Sequence, residues 1–249
     1  MEYAEHPLPS TLDGFVAAVW TARVPEDGGE WMEQEAVPDG CVELIRRECG
    51  RSIWRSEQPE IFATGLATVT AKLKLGAGAR FTGIKLWPWS WHVLGGAPCP
   101  TFADDWITVE NPRLTALVSG SPIEIAERLS EAFCGKDVGL GRAMLAGNTV
   151  AEIAARAGIS LRQLQRRCER DLGMSPRRYL CLLRFREAMQ SIQVHDDPLA
   201  ATAAEHGYAD QAHMAREFRD FAGMPPSKAR VRAKGPFVRT HAARTIPTR

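Results

Sequence analysis

A stretch of this chain near residue 160 is written a second time near residue 210. Leu164, Cys168, Gly173, Met174 and Pro176 return 50 positions later as Met214, Phe218, Gly223, Met224 and Pro226, while Gly158 returns 49 positions later as Gly207. An ordered echo of this length means one supersecondary unit used twice, with a residue added in the second turn. In the first copy Thr149 and Glu152 have capping-box spacing ahead of Ile153, Ala154 and Ala157, and Gly158 closes that short helix. Ser160, with Gln163 three residues on, opens a second helix that Gly173 stops. Leu161, Leu164, Cys168 and Leu172 recur at helical spacing and are expected to face the core, leaving Arg162, Gln165, Arg166 and Glu169 outside. Ser175-Pro176 then starts a long helix to about Gln193, with Tyr179, Leu180, Leu183 and Ala188 as core. In the second copy Asp197-Pro198 is expected to cap a short helix containing Ala200, Ala203 and Ala204. Asp210 caps its follower, in which Met214, Phe218 and Phe221 point in and Gln211, Ala212, His213, Arg216 and Arg219 can point out. Short helix, tight turn, second helix is the helix-turn-helix pattern, here in tandem about one long helix.

The first half reads differently. Gly14–Trp20, Cys41–Ile45, Val69–Leu75 and Phe81–Trp87 are apolar runs of strand length, separated by the turn signals Pro38-Asp39-Gly40 and Gly76-Ala77-Gly78. From Pro122 the period becomes helical behind Ser121, which predicts a helix over 121–134. The expected fold class is α+β. A β-rich domain (1–120) and a linker helix (121–136) precede an all-α domain (137–231) with two helix-turn-helix units joined by a long helix, and a flexible basic tail (232–249) follows.

The formal charge of +1 conceals a strong asymmetry. Residues 1–136 carry 12 basic and 19 acidic side chains, net −7, and residues 137–249 carry 19 and 11, net +8. A basic half of this kind suits a nucleic-acid or membrane partner. No run approaches the roughly 18–20 apolar residues of a membrane span, and the acidic start Met1–His6 lacks an apolar signal core, so a cytoplasmic location without membrane attachment is expected. The six cysteines contain no C-x-x-C pair, which argues against a zinc site and a disulfide framework; no metal and no cofactor are expected.

The outward face of the first repeat's second helix carries Arg162, Gln165 and Arg166, with Arg167 and Arg170 nearby. Arginine pairs bidentately with guanine O6 and N7, and glutamine with adenine N6 and N7, so this face has major-groove chemistry. The second copy offers Ala212, His213 and Arg216, a set poorer in donors. Thr149 to Arg230 resembles the DNA-binding domain of AraC/XylS-type transcription regulators. The resemblance rests on Ala154-x-x-Ala157-Gly158-Ile159-Ser160-x-x-x-Leu164-x-Arg166, Gly173-Met174-Ser175-Pro176-x-x-Tyr179-Leu180, Arg184, Gly207-Tyr208-x-Asp210-Gln211-x-His213-x-x-x-Glu217-Phe218 and Gly223-x-Pro225-Pro226. It implies a seven-helix domain whose reading helices span about 160–171 and 210–221, with Arg162, Gln165, Arg166, Ala212, His213 and Arg216 facing bases. The two helices would enter successive major-groove segments of double-stranded DNA, roughly 34 Å apart.

Tyr3-x-x-His6-Pro7-x-Pro9, Pro38-Asp39-Gly40-Cys41-Val42-Glu43-Leu44 and Gly78-Ala79-Arg80-Phe81-x-Gly83-Ile84-Lys85 resemble an N-terminal β-domain found on one branch of these regulators. Where that branch usually has an arginine and a proline after Gly83, this chain has Lys85-Leu86-Trp87-Pro88. Position alone implies a sensor of a small-molecule effector, with a homodimer partner and RNA polymerase as further candidate partners. Trp87, Trp89 and Trp91, with Glu43 and His92, are candidate effector contacts, since ligand sites are mostly apolar with a few placed polar groups. The same tryptophans equally suit a β-domain core or a contact between domains. The expected function is an effector-responsive regulator and not an enzyme. The rivals are a ligand-free dimeric DNA-binding module and a thiol-dependent alkyl acceptor, because Pro98-Cys99-Pro100 resembles the Pro-Cys nucleophile of alkyl-transfer repair proteins.

Overall fold

A computed structural model describes residues 1–27 and 29–232. In chain order it runs β1 (Glu2–His6), β2 (Val16–Arg23), β3 (Trp31–Ala36), β4 (Val42–Cys49), β5 (Ser52–Trp54), β6 (Ser56–Glu57), β7 (Ile61–Thr64), β8 (Ala71–Gly76), β9 (Arg80–Leu86), α1 (Pro88–Val93), β10 (Trp106–Thr108), α2 (Pro112–Leu117) and α3 (Pro122–Phe133). The helical half follows as α4 (Gly139–Ala146), α5 (Val150–Arg156), α6 (Leu161–Leu172), α7 (Pro176–Val194), α8 (Leu199–Glu205), α9 (Gln211–Ala222) and α10 (Pro226–Arg232). This is the expected α+β order of β-rich region, then helices. The tail expected over 232–249 lies outside the described residues apart from Arg232, which ends α10.

The β-region is two antiparallel sheets, one of six strands in the order β1-β2-β9-β4-β7-β10 and one of four in the order β3-β8-β5-β6. Alternation along β4 sends Leu44 toward the helices and Ile45 toward the smaller sheet, where it joins Trp20, Phe62, Leu75 and Phe81 in a separate core. β2, buried on both faces, reads as an apolar run broken only by Thr21 before Arg23, whereas β4 and β9 carry the charged Glu43 and Lys85 between apolar neighbours.

α3 carries the reciprocal Ser121–Glu124 capping box and buries Ile125, Ala126, Leu129 and Phe133. It lies on β2, with Phe133 stacked on Phe15 at 4.3 Å, so this connecting helix is packed as part of the β-region. The main core is continuous, running from Leu12 and Val19 through Trp87, Trp91 and Phe102 to Leu164, Tyr179, Phe185 and Phe218.

Two expectations are corrected within the helical half. Leu161, placed in the core by its helical angle, is 56% exposed, because it is the first residue of α6 and burial on that face begins only with Leu164. Asp197 does not cap α8: the N-cap is Pro198, which has no side-chain acceptor to offer, and Asp197 uses its backbone carbonyl to accept from Arg230 at 2.6 Å.

Candidate nucleic-acid interface

Each helix-turn-helix unit is fixed by local chemistry at its turn. Thr149 Oγ1 accepts from the Glu152 N–H at 3.2 Å, and the Glu152 carboxylate accepts from the Asn148 N–H at 2.9 Å. Gly158 turns the chain at φ +63°. At the start of α6, Ser160 Oγ accepts from the Gln163 N–H at 3.2 Å while Gln163 Oε1 accepts from the Ser160 N–H at 2.8 Å. α9 repeats this with other residues: Asp210 accepts from the His213 N–H at 2.6 Å, and His213 Nδ1 accepts from the Ala209 N–H at 3.4 Å. Both helices end on a left-handed glycine, Gly173 at φ +73° and Gly223 at φ +66°. The first turns of α6 and α9 are therefore the ones fixed by side-chain caps.

On α6, Arg162 and Arg166 are exposed and have no hydrogen-bond or ionic partner among the described residues. Gln165 is half-buried and donates from Nε2 to Glu169 Oε1 at 2.6 Å, so reading a base requires it to leave that carboxylate. Arg170 is held by Asp171. On α9, Ala212 and Arg216 are exposed, and Arg216 is likewise without a partner among the described residues. His213 is differently placed: its ring meets Tyr208 edge-on at 5.4 Å, and Nε2 lies 3.5 Å from Glu217 Oε1. It stands at the helix position that Gln163 occupies in α6, and both side chains accept a backbone N–H at the cap.

Beneath this surface Arg184 on α7 bonds the buried Glu217 of α9 through Nε at 3.4 Å and through Nη2, and its guanidinium covers the Tyr208 ring at 4.6 Å. This pair ties the second unit to the long helix. Both residues belong to the motif that carries the family resemblance, but nothing in the sequence alone shows that they meet.

The candidate effector residues stand in several different settings. Trp87 stacks on Trp89 at 5.6 Å, Trp89 meets Tyr179 edge-on at 6.2 Å, and Arg186 lies 5.0 Å from the Trp87 ring, all in the contact between the β-region and α7. Trp91 is fully buried with its N–H on the Ala97 carbonyl at 2.8 Å, whereas His92 is exposed on α1. Glu43 belongs to an ionic cluster on β4 and β9: Lys85 Nζ, 1% exposed, lies 2.8 Å from Asp39 Oδ2 and 3.6 Å from Glu43 Oε1, and Trp20 Nε1 donates to Glu43 Oε2 at 3.2 Å. Burial alone would raise the Asp39 carboxyl, but the Lys85 and Arg186 charges outweigh it and hold Asp39 below the ordinary carboxylate range. Burial pushes Glu43 up to about 7, with Lys85 opposing in part and Asp39 reinforcing. The sequence signal for this cluster is a lysine inside the apolar run Ile84-Lys85-Leu86, where a buried cation demands carboxylates.

Cys99 is 2% exposed and burial pushes its thiol up to about 12, the opposite of what a nucleophile needs. No group of three or more metal-ligating side chains occurs among the described residues, and no helix among them is long and apolar enough to cross a membrane.

Residues 153–232 match a family described as a helix-turn-helix domain, and residues 4–108 match a domain of unknown function (DUF6597). Over 81 residues the chain is 35% identical to the HTH-type transcriptional activator RhaS of Pectobacterium carotovorum subsp. carotovorum (strain PC1), covering 32% of this chain and 29% of that protein. This chain carries an AraC/XylS-type helix-turn-helix domain behind an N-terminal β-domain. The AraC-type domain is also 25% identical over 83 residues to the multiple antibiotic resistance protein MarA of Escherichia coli (strain K12), covering 33% of this chain and 65% of MarA. The chain thus spans less than a third of the length of the RhaS protein it matches. Among solved structures, ToxT of Vibrio cholerae O395 aligns with 86% of this chain and 97% of its own at a TM-score of 0.48 and 11% identity.

Proposed function

We propose that this protein is a sequence-specific, double-stranded-DNA-binding transcription regulator in which α6 and α9 read successive major-groove segments. The observation that carries this reading is the pair of capped helices at equivalent repeat positions, each presenting an exposed arginine without a partner among the described residues: Arg166 on α6 and its repeat mate Arg216 on α9. An uncompensated guanidinium on a rigid first or second helical turn suits bidentate pairing with guanine. Arg162 and Gln165 extend the first surface, and Ala212 gives the second an apolar contact. His213 orders the start of α9 from its place on Tyr208 and Glu217, and contacts DNA only at the edge of the surface. Phosphate contacts from the basic half set the register, and the arginines discriminate bases.

The β-domain is proposed to make the regulator effector-responsive and, where it dimerises, to supply the dimer contact; RNA polymerase is the proposed downstream partner. Supporting an effector role is the direct seating of the β-domain on α7, through which an effector favouring one interdomain arrangement would shift DNA affinity. The alkyl-acceptor rival has a buried, poorly ionising Cys99 against it.

Selection of sites from a random duplex pool, with the intact chain beside an Arg166→Ala, Arg216→Ala double variant, tests the reading. The expected result is a consensus of two segments about one helical turn apart that the double variant loses, each arginine contributing roughly 1–3 kcal/mol at its base pair. An identical consensus from the double variant overturns it.

A further inference from the structure

Leu161 departs from the helical periodicity of α6. It shares a helical meridian with Cys168 and Leu172, which are buried, yet it stands 56% exposed as the first residue of α6. The other large apolar side chains exposed among the described residues, Val69, Val93, Ile123, Val194 and Val231, all lie off both reading helices. Leu161 directly precedes Arg162 and lies four positions before Gln165, so it adjoins the proposed reading surface. The Ser160–Gln163 caps hold this turn in place. N-terminal residues of a recognition helix are the ones that reach base edges, and the groove's one apolar feature is the C5-methyl of thymine. The repeat mate, Gln211, is exposed at the same place on α9 but is polar.

We propose that Leu161 is a specificity-determining residue of the first reading helix, packing against the methyl group of a thymine in the segment that α6 enters. The inference rests on the proposed DNA-reading function and adds to it an apolar determinant that the second unit lacks. It also accounts for a leucine on a surface otherwise lined by Arg162, Arg166 and Arg167.

The test begins with the consensus selected by the intact chain, in which each thymine is replaced singly by uracil, a change that removes only the methyl group. At one thymine of the α6 segment, uracil should weaken wild-type binding about fourfold, the factor expected for burying one methyl-sized group. Leu161→Ala should bind the thymine duplex about fourfold less tightly and be indifferent to uracil there. Unchanged thermal melting would show that the exposed substitution leaves the fold intact, and the wild-type uracil scan decides the matter without the variant. A wild-type protein indifferent to uracil throughout the α6 segment, with its consensus still dependent on Arg166, overturns the proposal while leaving DNA reading standing. Uracil sensitivity that persists in Leu161→Ala also overturns it, by assigning the methyl contact to another residue. Absence of any consensus removes the DNA-reading function and this proposal with it.

Discussion

At position 43 a carboxylate competes with Asp39 for the same buried lysine, and the geometry settles the competition. Asp39 Oδ2 is 2.8 Å from Lys85 Nζ and Glu43 Oε1 is 3.6 Å away, so the ion pair belongs to Asp39 and Glu43 holds its proton to about pH 7. Lys85, Asp39, Trp20 and Tyr3 are the groups that bear on it. Between the ordinary value of 4.5 and about 7, the folded chain keeps a proton that the unfolded chain has released, so this group makes stability fall as pH rises through that window. The full effect amounts to roughly 3 kcal/mol at most. Glu43→Gln, which keeps the shape and cannot ionise, should remove that slope. Urea unfolding of both proteins at pH 5 and pH 7.5 checks it: the variant should gain on the wild type at the higher pH, and parallel profiles would contradict the assignment. Lys85→Met should be far more damaging, since it takes from the buried Asp39 its nearest cation and leaves only the Arg186 charge to offset its burial.

At the scale of elements, the helices were largely legible in the sequence because their boundaries are set by local chemistry. Ser160 with Gln163, Thr149 with Glu152, Ser121 with Glu124 and the stops at Gly173 and Gly223 need only neighbours a few residues away. Ser160→Ala should therefore cost about 1 kcal/mol. Its distinctive consequence is fraying of the first turn of α6, read as faster amide exchange at Leu161–Gln163 than in wild type; unchanged exchange would mean that packing alone holds the turn. What the sequence concealed is non-local. Helical periodicity gives Leu161 an angle but does not say that this end of α6 is left uncovered. β3 (Trp31–Ala36) reads as polar because Glu33, Gln34 and Glu35 lie on an edge strand with one neighbour, β8. Lys85, Asp39 and Glu43 were visible as motif residues, but their meeting depends on strand register, in which Glu43 lies opposite Lys85. The pairing of Arg184 with Glu217 likewise depends on how α9 folds back on α7.

Across the whole molecule the boundary between halves is chemically almost invisible, since one apolar core runs through both. Its centre is the Pro38-Asp39-Gly40 turn: Tyr179 on α7 donates to the Gly40 carbonyl at 2.9 Å, and Leu183 lies so close to Gly40 that a side chain there would press on it. Gly40 also has φ +78°, which glycine adopts without strain. Farther out, Gly173 at the end of α6 rests against Pro100, and Thr70 Oγ1 donates to the Phe221 carbonyl near the end of α9 at 3.3 Å. The β-domain thus touches the trailing ends of α6 and α9 and the middle of the helix that joins the two units. Such an arrangement makes the relative placement of the two helix-turn-helix units a property of the whole chain. It follows that the intact protein should melt in one calorimetric transition, with equal van't Hoff and calorimetric enthalpies. Tyr179→Phe should lower that single transition, costing about 1–3 kcal/mol because the Gly40 carbonyl is left buried without its donor. Two resolved transitions, with Tyr179→Phe moving only one, would show that the halves share a surface without sharing stability, and the β-domain would then have no grip on the spacing of α6 and α9.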